Sequence, residues 1–378
     1  MASRDDKQRD GDKQDSSLDS KGSGRRNFLK GTAAAAATGG VIMHELSHAT
    51  PAAALEGGVS EDAGFAPNRR RAATELFGED WWPSKWGAED QAGAANHMGP
   101  AKTLEAVSRI TTGTVYPIGR VYEAGMPLFG SRVFGMRIPG APTGGVFGRN
   151  KIIWNDEFLA TEIGQVGTQF DGLGHIGVEA GNAGDQNERR FYNGVPLSEM
   201  AGPYGLHKLG MEHVTPFFTP GVLIDVKGLK GGMMEAGTEV TVADLEAALE
   251  RQGLSGDSIT AGDAVVIRTG WGDLWMEDNA RYNSGEPGIG IEAAEWLAAK
   301  DVCLVGADCW GIEVVPNPDA DLAFPAHQIL LTKYGIYLHE NLDLDALAEA
   351  EAWQFAYIFA PLPIKGATGS PGAPVAVA

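Results

Sequence analysis

The sequence is poor in cysteine, with only Cys303 and Cys309 among its 378 residues. Both lie in or beside the apolar run DVCLVGADCWG, a pattern typical of a strand and its exit. Six residues of extended chain span about 20 Å, which is too far for a disulfide unless the chain folds back. We therefore expect two buried free thiols, and a disulfide-based scaffold is excluded.

Basic side chains are also scarce, since 30 Lys and Arg stand against 50 Asp and Glu, a formal net charge of −20. Residues 1–54 hold eight basic and seven acidic side chains, which leaves −21 for the rest of the chain. Nucleic acids and anionic membranes bind basic surfaces, so this charge disfavours both as partners. No long apolar run follows residue 55, which argues against a membrane-spanning helix in the mature protein.

Residues 1–54 resemble a twin-arginine signal peptide. A polar, charged lead is followed by the pair Arg25 and Arg26 and then by an alanine-rich apolar stretch over 32–43. The alternative is a disordered tail with a chance arginine pair. We expect export to the periplasm or the medium, with residues 55–378 as a single domain.

Apolar runs and helical periodicity alternate along the mature chain. Strands are predicted over 221–226, 264–268 and 302–306, and helices over 104–110, 241–252 and 290–299. The predicted helix over 241–252 begins with a capping-box pattern at Thr241 and Asp244. Strands that are solid apolar runs and alternate with helices indicate an α/β domain.

Two segments do not fit this alternation. Residues 127–148 are so dense in glycine and proline that an irregular conformation is predicted. Residues 76–99 carry Trp81, Trp82 and Trp86, and an ordered loop is predicted there, either packed on the body or forming a lid over a pocket.

The segment GQVGTQFDGLGH, residues 164–175, brings polar side chains together in a glycine-rich stretch. If Gln165, Gln169, Asp171 and His175 converge, their oxygen and nitrogen atoms suit a divalent ion with a proton-transfer group beside it. The four glycines allow the tight backbone turns that such a site needs.

A second polar cluster lies near the C-terminus, where His327 begins an apolar run and Glu340 follows the strand-like sequence IYLH. Taken alone, Glu340 is better explained as a surface carboxylate that caps a helix starting near Asp343. Since side chains alternate along a strand, His339 and Glu340 are expected on opposite faces, with at most one of them pointing inward.

These two clusters together resemble the cyclase-like metal hydrolases, the family of bacterial kynurenine formamidase and isatin hydrolase. GQVGTQFDGLGH matches their pattern H-x-G-T-H-x-D-x-P-x-H at the Gly-Thr pair, the aspartate and the last histidine. His327 and the run Glu340-Asn341-Leu342 resemble the second signature, and residues 86–100 resemble the N-terminal segment of larger members. The resemblance covers roughly residues 81–363.

The resemblance implies a mixed β-sheet or barrel-like core with flanking helices, of the swivelling β/β/α type. It also implies that His175 transfers the proton and that Thr168 is a candidate oxyanion donor. The implied ligands of a divalent ion, Mn or Zn, are Asp171, Gln165, Gln169, His327 and Glu340. A homodimer or a larger assembly is expected as well.

The chain departs from the family pattern at three positions, since Gln165 and Gln169 replace the two early histidines and Leu173 replaces the proline. Glutamine offers a hard carbonyl oxygen, whereas zinc prefers nitrogen and sulfur donors. The substitutions therefore predict weaker zinc binding with a preference for Mn, Mg or Ca, or a site that holds no metal.

The resulting expectation is a metal-dependent hydrolase that opens an amide or lactone of a small ring-containing substrate. Two alternatives share the same motif. One is a metal-free periplasmic protein that only binds a small ligand, and the other is a lyase or isomerase on the same scaffold, since a fold does not determine a reaction.

Overall fold

The computed structural model describes residues 76–78, 80–181 and 184–378. The predicted signal peptide, residues 1–54, lies outside this part of the chain. Among the described residues, no helix combines the length and the apolar character required to cross a membrane.

The body is built on one mixed sheet of nine strands. In chain order they are β1 Val115–Pro117, β2 Gln169–Asp171, β3 Phe217–Asp225, β4 Ala264–Arg268, β5 Leu304–Ala307, β6 Tyr337–Glu340, β7 Gln354–Phe359, β8 Gly369–Pro371 and β9 Val375–Val377. Their spatial order is β1-β9-β7-β3-β4-β5-β6-β2-β8. Strands β3 to β6 run parallel, and the strands on both sides of this block pair antiparallel.

Helices connect and cover the parallel strands. The α-helices are Pro100–Ser108, Leu197–Met200, Val226–Lys230, Val242–Arg251, Asn279–Tyr282, Ile291–Ala299, Pro325–His327 and Asp345–Glu349, with a π-helix at Gln328–Tyr334. Short 3₁₀ helices lie at Gly93–His97, Tyr192–Gly194, Met211–His213, Gly256–Ser258 and Trp271–Leu274. Because both faces are covered, β4 and β5 are almost entirely buried apolar residues.

The α/β prediction is confirmed, and so are most of its individual elements. Thr241 caps the helix Val242–Arg251, with Asp244 completing the capping box. Cys303 and Cys309 are both buried and free. The first predicted helix starts earlier than expected, at Pro100, because proline at the first helical position costs no hydrogen bond.

The prediction of an irregular segment over 127–148 is wrong in part. Strand Phe134–Arg137 pairs with Phe158–Thr161, and Gly144–Phe147 pairs with Ile152–Trp154, both antiparallel. We call this two-stranded ribbon, residues 134–161, the arm. Its pairing partner lies downstream of the glycine- and proline-rich stretch, so the composition of that stretch alone did not reveal it.

Three further two-stranded pairs complete the structure. They are Val178–Glu179 with Arg189–Arg190, Ala201–Gly202 with Gly205–Leu206, and Glu239–Val240 with Gly288–Ile289. The first of these pairs lies directly after the glycine-rich motif and borders the candidate site.

Candidate metal centre and active site

The candidate site lies on one face of the strand pair β2 and β6. In the antiparallel register, Gln169 is opposite Glu340 and Leu338 is opposite Asp171. Side chains alternate along a strand, so Gln169, Asp171 and Glu340 share one face. All three are buried, with 0–1% of their surface exposed. Neighbouring strands thus bring together two clusters that are about 170 residues apart in sequence.

His327 reaches the same face from the helix Pro325–His327, which continues into the π-helix. One ligand atom from each of Asp171, His327 and Glu340 can be chosen so that all three atoms lie within 4.8 Å of one another. His327 Nε2 is 3.2 Å from Glu340 Oε1 and 3.9 Å from Asp171 Oδ2. π-Helical turns are frequent at functional sites, where they re-aim a side chain.

Glu313, which the sequence did not reveal as a site residue, fixes the orientation of His327. Its carboxylate accepts hydrogen bonds from the backbone N–H groups of Ala326 and His327, at 3.1 and 2.9 Å, and lies 2.5 Å from His327 Nδ1. A carboxylate at Nδ1 holds the proton there and leaves Nε2 free to accept or bind. The only available signal was an acidic residue inside the apolar run GIEVV.

The two glutamines of the motif contact the two carboxylates. Gln165 Nε2 donates to Asp171 Oδ1 at 3.1 Å, and Gln169 Nε2 donates to Glu340 Oε2. Gln169 Oε1 in turn accepts from the backbone N–H of Gln165 at 3.3 Å. Each carboxylate therefore keeps one oxygen for His327 or an ion while an amide binds the other.

His175 lies at the edge of this group. Its Nε2 is 3.7 Å from Asp171 Oδ1 and 3.3 Å from Gln165 Nε2, and its side chain is 23% exposed. Burial lowers the pKa of His175, and the charge of Asp171 partly opposes that change. A neutral imidazole next to a cavity is suited to accept a proton.

Thr168 has a different place from the one expected of an oxyanion donor. Its hydroxyl donates to the backbone carbonyl of Asn341 at 2.8 Å and accepts from the backbone N–H of Arg120 at 2.8 Å. The side chain is completely buried. The hydroxyl has one proton, and it donates that proton to Asn341. Thr168 therefore links β2 to the end of β6 and has no proton left for a substrate.

Residues in the left-handed backbone region surround the site. Gln165, Phe324 and Asn341 have φ values of 63°, 51° and 57°. Non-glycine residues adopt this conformation at a cost, and such strain concentrates at functional sites. Gly167 has φ 62°, and a Cβ there would lie 2.6 Å from the ring of Tyr122, so the Gly-Thr pair of the motif requires glycine.

Burial raises the pKa values of two carboxyl groups, those of Glu340 and Glu286. Burial, and then the charge of Asp171, raise the pKa of Glu340 to about 7. Burial and then Glu340 raise the pKa of Glu286, whose Oε2 accepts from the backbone N–H groups of Trp310 and Gly311 at 2.7 and 3.1 Å. Buried carboxyls with raised pKa values, close to one another, mark functional sites. Nothing in the local sequence of Glu286 indicated this location.

The three tryptophans do not form a lid over this site. Trp81 and Trp86 line a separate cavity of about 480 Å³, together with Phe77 and Tyr192. None of the seven predicted site residues borders that cavity. A second cavity of about 380 Å³ does adjoin the site, because His175 is part of its wall.

The donor set fits a divalent cation. Asp171 Oδ2 is buried and has no hydrogen-bond partner among the described residues, although it lies within the group formed with His327 and Glu340. Two carboxylates and one imidazole, with the amide groups of Gln165 and Gln169 hydrogen-bonded to the carboxylates, supply oxygen and nitrogen donors of the kind that divalent cations bind.

Comparisons with known proteins identify the family of the chain. The family model described as "Putative cyclase" matches residues 82–314, more than half of the chain. An isatin hydrolase of Roseibium aggregatum is 33% identical over 118 residues, which are 30% of this chain and 44% of that protein. The alignment thus spans less than half the length of this curated relative.

Solved structures show the same fold. A crystal structure of a novel cyclase has a TM-score of 0.67 and 33% identity, and the match covers 78% of this chain and 96% of that one. Isatin hydrolase A from Labrenzia aggregata, bound to benzyl benzoate, has a TM-score of 0.51 and 22% identity, covering 72% and 94% of the two chains. The family model, the 33% identical structure and the shared mixed sheet lead to one conclusion: the chain belongs to the cyclase family.

Proposed function

We propose that the protein is a metal-dependent hydrolase that opens the amide or lactone bond of a small ring-containing substrate. The observation that carries this proposal is that ligand atoms of Asp171, His327 and Glu340 lie within 4.8 Å of one another, while Asp171 Oδ2 is buried without a hydrogen-bond partner among the described residues. Its family membership and its isatin hydrolase relative support the class of reaction.

His175 is the residue that moves the proton. Its Nε2 lies 3.7 Å from Asp171 Oδ1, and the residue lines the 380 Å³ cavity, so it can take a proton from an attacking water and return it to the leaving group. The nearby negative charge of Asp171 stabilises the imidazolium that forms in between. Glu313 performs the equivalent orienting task for His327.

A bound divalent ion would supply an activated water and polarise the substrate carbonyl. Asp171, His327 and Glu340 would hold it, and Gln165 and Gln169, whose amide nitrogens contact the two carboxylates, would have to rotate their amides to offer oxygen. Because glutamine supplies oxygen where imidazole nitrogen would favour zinc, we propose Mn as the preferred ion.

The cavity beside His175 is the proposed substrate site. Ile176, Val178 and Phe191 give it an apolar wall, and Arg189, whose Nε donates to Glu179 Oε1 at 3.1 Å, also lines it. Apolar residues suit a ring, and a guanidinium suits the carboxylate that ring opening produces. The cavity volume of about 380 Å³ is within the usual range for small-molecule sites.

A ring-opening assay tests the proposal. Protein stripped with chelator and reloaded with Mn is mixed with isatin, an N-formyl arylamine or an aromatic lactone, and carboxylate formation is followed. We expect turnover of at least one of these that depends on the ion and is lost in Asp171→Asn. The matched control is Asp257→Asn, the same change at a fully exposed carboxylate.

Two results would count against the proposal. Turnover that persists unchanged after complete removal of divalent ions would contradict metal dependence. Binding of these ring compounds with no hydrolysis under any ion would instead support the ligand-binding alternative.

We also propose that the protein is exported through the twin-arginine pathway, on the strength of the order of segments in residues 1–54. Replacing Arg25 and Arg26 together by lysine is expected to retain the protein in the cytoplasm. Unchanged export of this variant, measured by cell fractionation, would refute the assignment.

A further inference from the structure

The cavity of about 480 Å³ that Trp81 and Trp86 line has no part in the proposed reaction, since none of the seven predicted site residues borders it. We call it the aromatic cavity, because five aromatic side chains belong to its wall. They are Phe77, Trp81, Trp86, Tyr192 and Tyr334. A cavity of this volume with mostly apolar and aromatic walls is typical of a site for a small molecule.

Hydrogen bonds hold the wall of the aromatic cavity in place. Asn193 Oδ1 accepts from the backbone N–H of Ser84 at 2.7 Å, and its Nδ2 donates to the carbonyl of Asp90 at 3.1 Å. The hydroxyl of Tyr192 donates to Asp90 Oδ2 at 2.7 Å. The loop that carries Trp86 is therefore anchored on both sides of that residue. A wall formed in advance lowers the entropy cost of binding a ligand.

The two lysines of the wall already have carboxylate partners. Lys85 forms an ion pair with Asp301, which also lines the cavity. Lys333 Nζ lies 2.7 Å from Glu295 Oε1. An anion that entered the cavity would lose its hydration without gaining an unpaired cation in return, which is costly. The aromatic cavity therefore favours an uncharged ligand.

His97 gives this wall one hydrogen-bonding atom without a partner. Its Nε2 is buried and has no hydrogen-bond partner in the described part of the chain, since Asp301 Oδ1 is 3.6 Å away. Burial lowers the pKa of His97, which favours the neutral ring. In the tautomer protonated at Nδ1, Nε2 accepts a hydrogen bond. A ligand with a ring N–H satisfies this nitrogen, whereas an unfilled cavity leaves it unpaired at a cost.

We propose that the aromatic cavity is a second small-molecule site, which binds an uncharged aromatic heterocycle by ring packing and by a hydrogen bond from a ring N–H to His97 Nε2. Tryptophan and tyrosine rings pack well against other aromatic rings. The His97 ring itself meets Trp86 edge to face at a centroid distance of 4.8 Å. The inference does not rest on the proposed reaction, because the proposed ion ligands and His175 lie outside this wall.

Calorimetric titration of the full chain with indole tests the inference, since indole is uncharged and carries one ring N–H. We expect saturable binding with a dissociation constant below about 1 mM, the strength that good contacts give a ligand of this size. Trp86→Ala should raise this constant at least about 10-fold through loss of ring packing. Indole-3-carboxylate should bind at least about 10-fold more weakly than indole, because its charge must be desolvated.

Two control variants locate the binding. Trp154→Ala removes a tryptophan that is 43% exposed, close to the 37% of Trp86, and that does not line the cavity. Phe191→Ala changes the cavity beside His175 instead. Both variants should bind indole as the wild type does, and circular dichroism checks that every variant is folded.

His97→Phe tests the hydrogen bond separately, because it keeps a ring against Trp86 and removes the acceptor. This variant should bind indole more weakly and should bind benzothiophene, which has no N–H, as the wild type does. Four results would overturn the inference: no saturable binding of indole, equal affinity in Trp86→Ala and Trp154→Ala, loss of binding only in Phe191→Ala, or tighter binding of the carboxylate. Equal affinity of His97→Phe and the wild type for indole would overturn the assigned hydrogen bond.

Discussion

The two faces of the strand pair β2 and β6 differ completely in chemistry although they share the same backbone. One face carries the buried carboxylates of Asp171 and Glu340, and Asp171 Oδ2 has no hydrogen-bond partner among the described residues. The other carries Phe170, in ring contact with Phe217, Tyr337 and other aromatic residues at centroid distances of 5.1–5.9 Å. Both faces are equally buried, so burial alone does not distinguish core from site.

The two faces of the strand pair therefore have different functions. The aromatic face removes apolar area from water and stabilises the fold. The polar face holds acidic groups close together, an arrangement that costs stability unless a cation or a proton is bound. Substitutions at adjacent positions on the two faces should therefore have opposite consequences for stability and activity.

The largest effect is expected from the neighbouring pair Phe170→Ala and Asp171→Asn. Loss of the Phe170 ring should lower the free energy of unfolding by about 3–5 kcal/mol. Asp171→Asn should leave that free energy unchanged or raise it, because it removes a buried charge next to Glu340, and should abolish ion binding. Denaturant titration of both variants measures the free energy of unfolding, and metal analysis measures the bound ion. Equal destabilisation by the two changes would remove the distinction between the faces.

His175→Ala sharpens the comparison on the side of function. We expect a folded protein whose turnover is reduced about 100-fold or more, the size of a lost general acid-base. Because His175 is at the edge of the site and not among the proposed ligands, ion binding should change little. Wild-type turnover in this variant would show that His175 only packs against β2.

A smaller effect is expected from Glu313→Gln. This change weakens the hydrogen bond that orients His327 and leaves the proposed ligands of the ion in place. The affinity for Mn should fall about 10- to 100-fold, as for other carboxylates that orient a metal-binding histidine. Calorimetric titration with Mn measures it, and Glu199→Gln at an exposed carboxylate serves as the control. An unchanged affinity would mean that the helix alone orients His327.

The smallest effect is expected at His339, on the face opposite Glu340, and it concerns the pH dependence of stability. Burial lowers its pKa from 6.5 to about 3, so the unfolded chain binds a proton that the folded chain does not. Stability contributed by the neutral imidazole is complete above pH 6.5 and is lost as the pH falls towards 3. Between pH 7 and pH 5 this loss is about 2 kcal/mol. In denaturant titrations at pH 7 and pH 5, His339→Leu should lose less of its free energy of unfolding than the wild type does. Identical losses in the two proteins would contradict the lowered pKa of His339.

The sequence predicted those parts of the site whose residues lie close together in the chain. Gln165, Gln169, Asp171 and His175 lie within one short motif, so their convergence followed from a single strand and turn. His327 and Glu340 entered through the family resemblance, because no local rule joins residues about 170 positions apart. The alternation argument placed His339 and Glu340 on opposite faces correctly. The same argument did not predict that both residues are buried, because segments distant in sequence cover the two faces of the sheet.

Other misses have the same origin. Glu313 was not predicted, because its bond to His327 arises from the packing of a loop against a helix start. Thr168 is in the expected position in sequence, yet its hydroxyl is taken by the backbone of Asn341, a contact that no spacing reveals. The arm was missed because its second strands lie beyond the glycine-rich stretch with which they pair.

The most direct test of the account is a calorimetric titration of the chelator-stripped protein with Mn, followed by the ring-opening assay on the same samples. We expect one ion per chain in the wild type, none in Asp171→Asn, and turnover only where the ion is bound. Wild-type protein that binds no divalent ion at Asp171, His327 and Glu340, yet still opens the ring, would contradict the central claim.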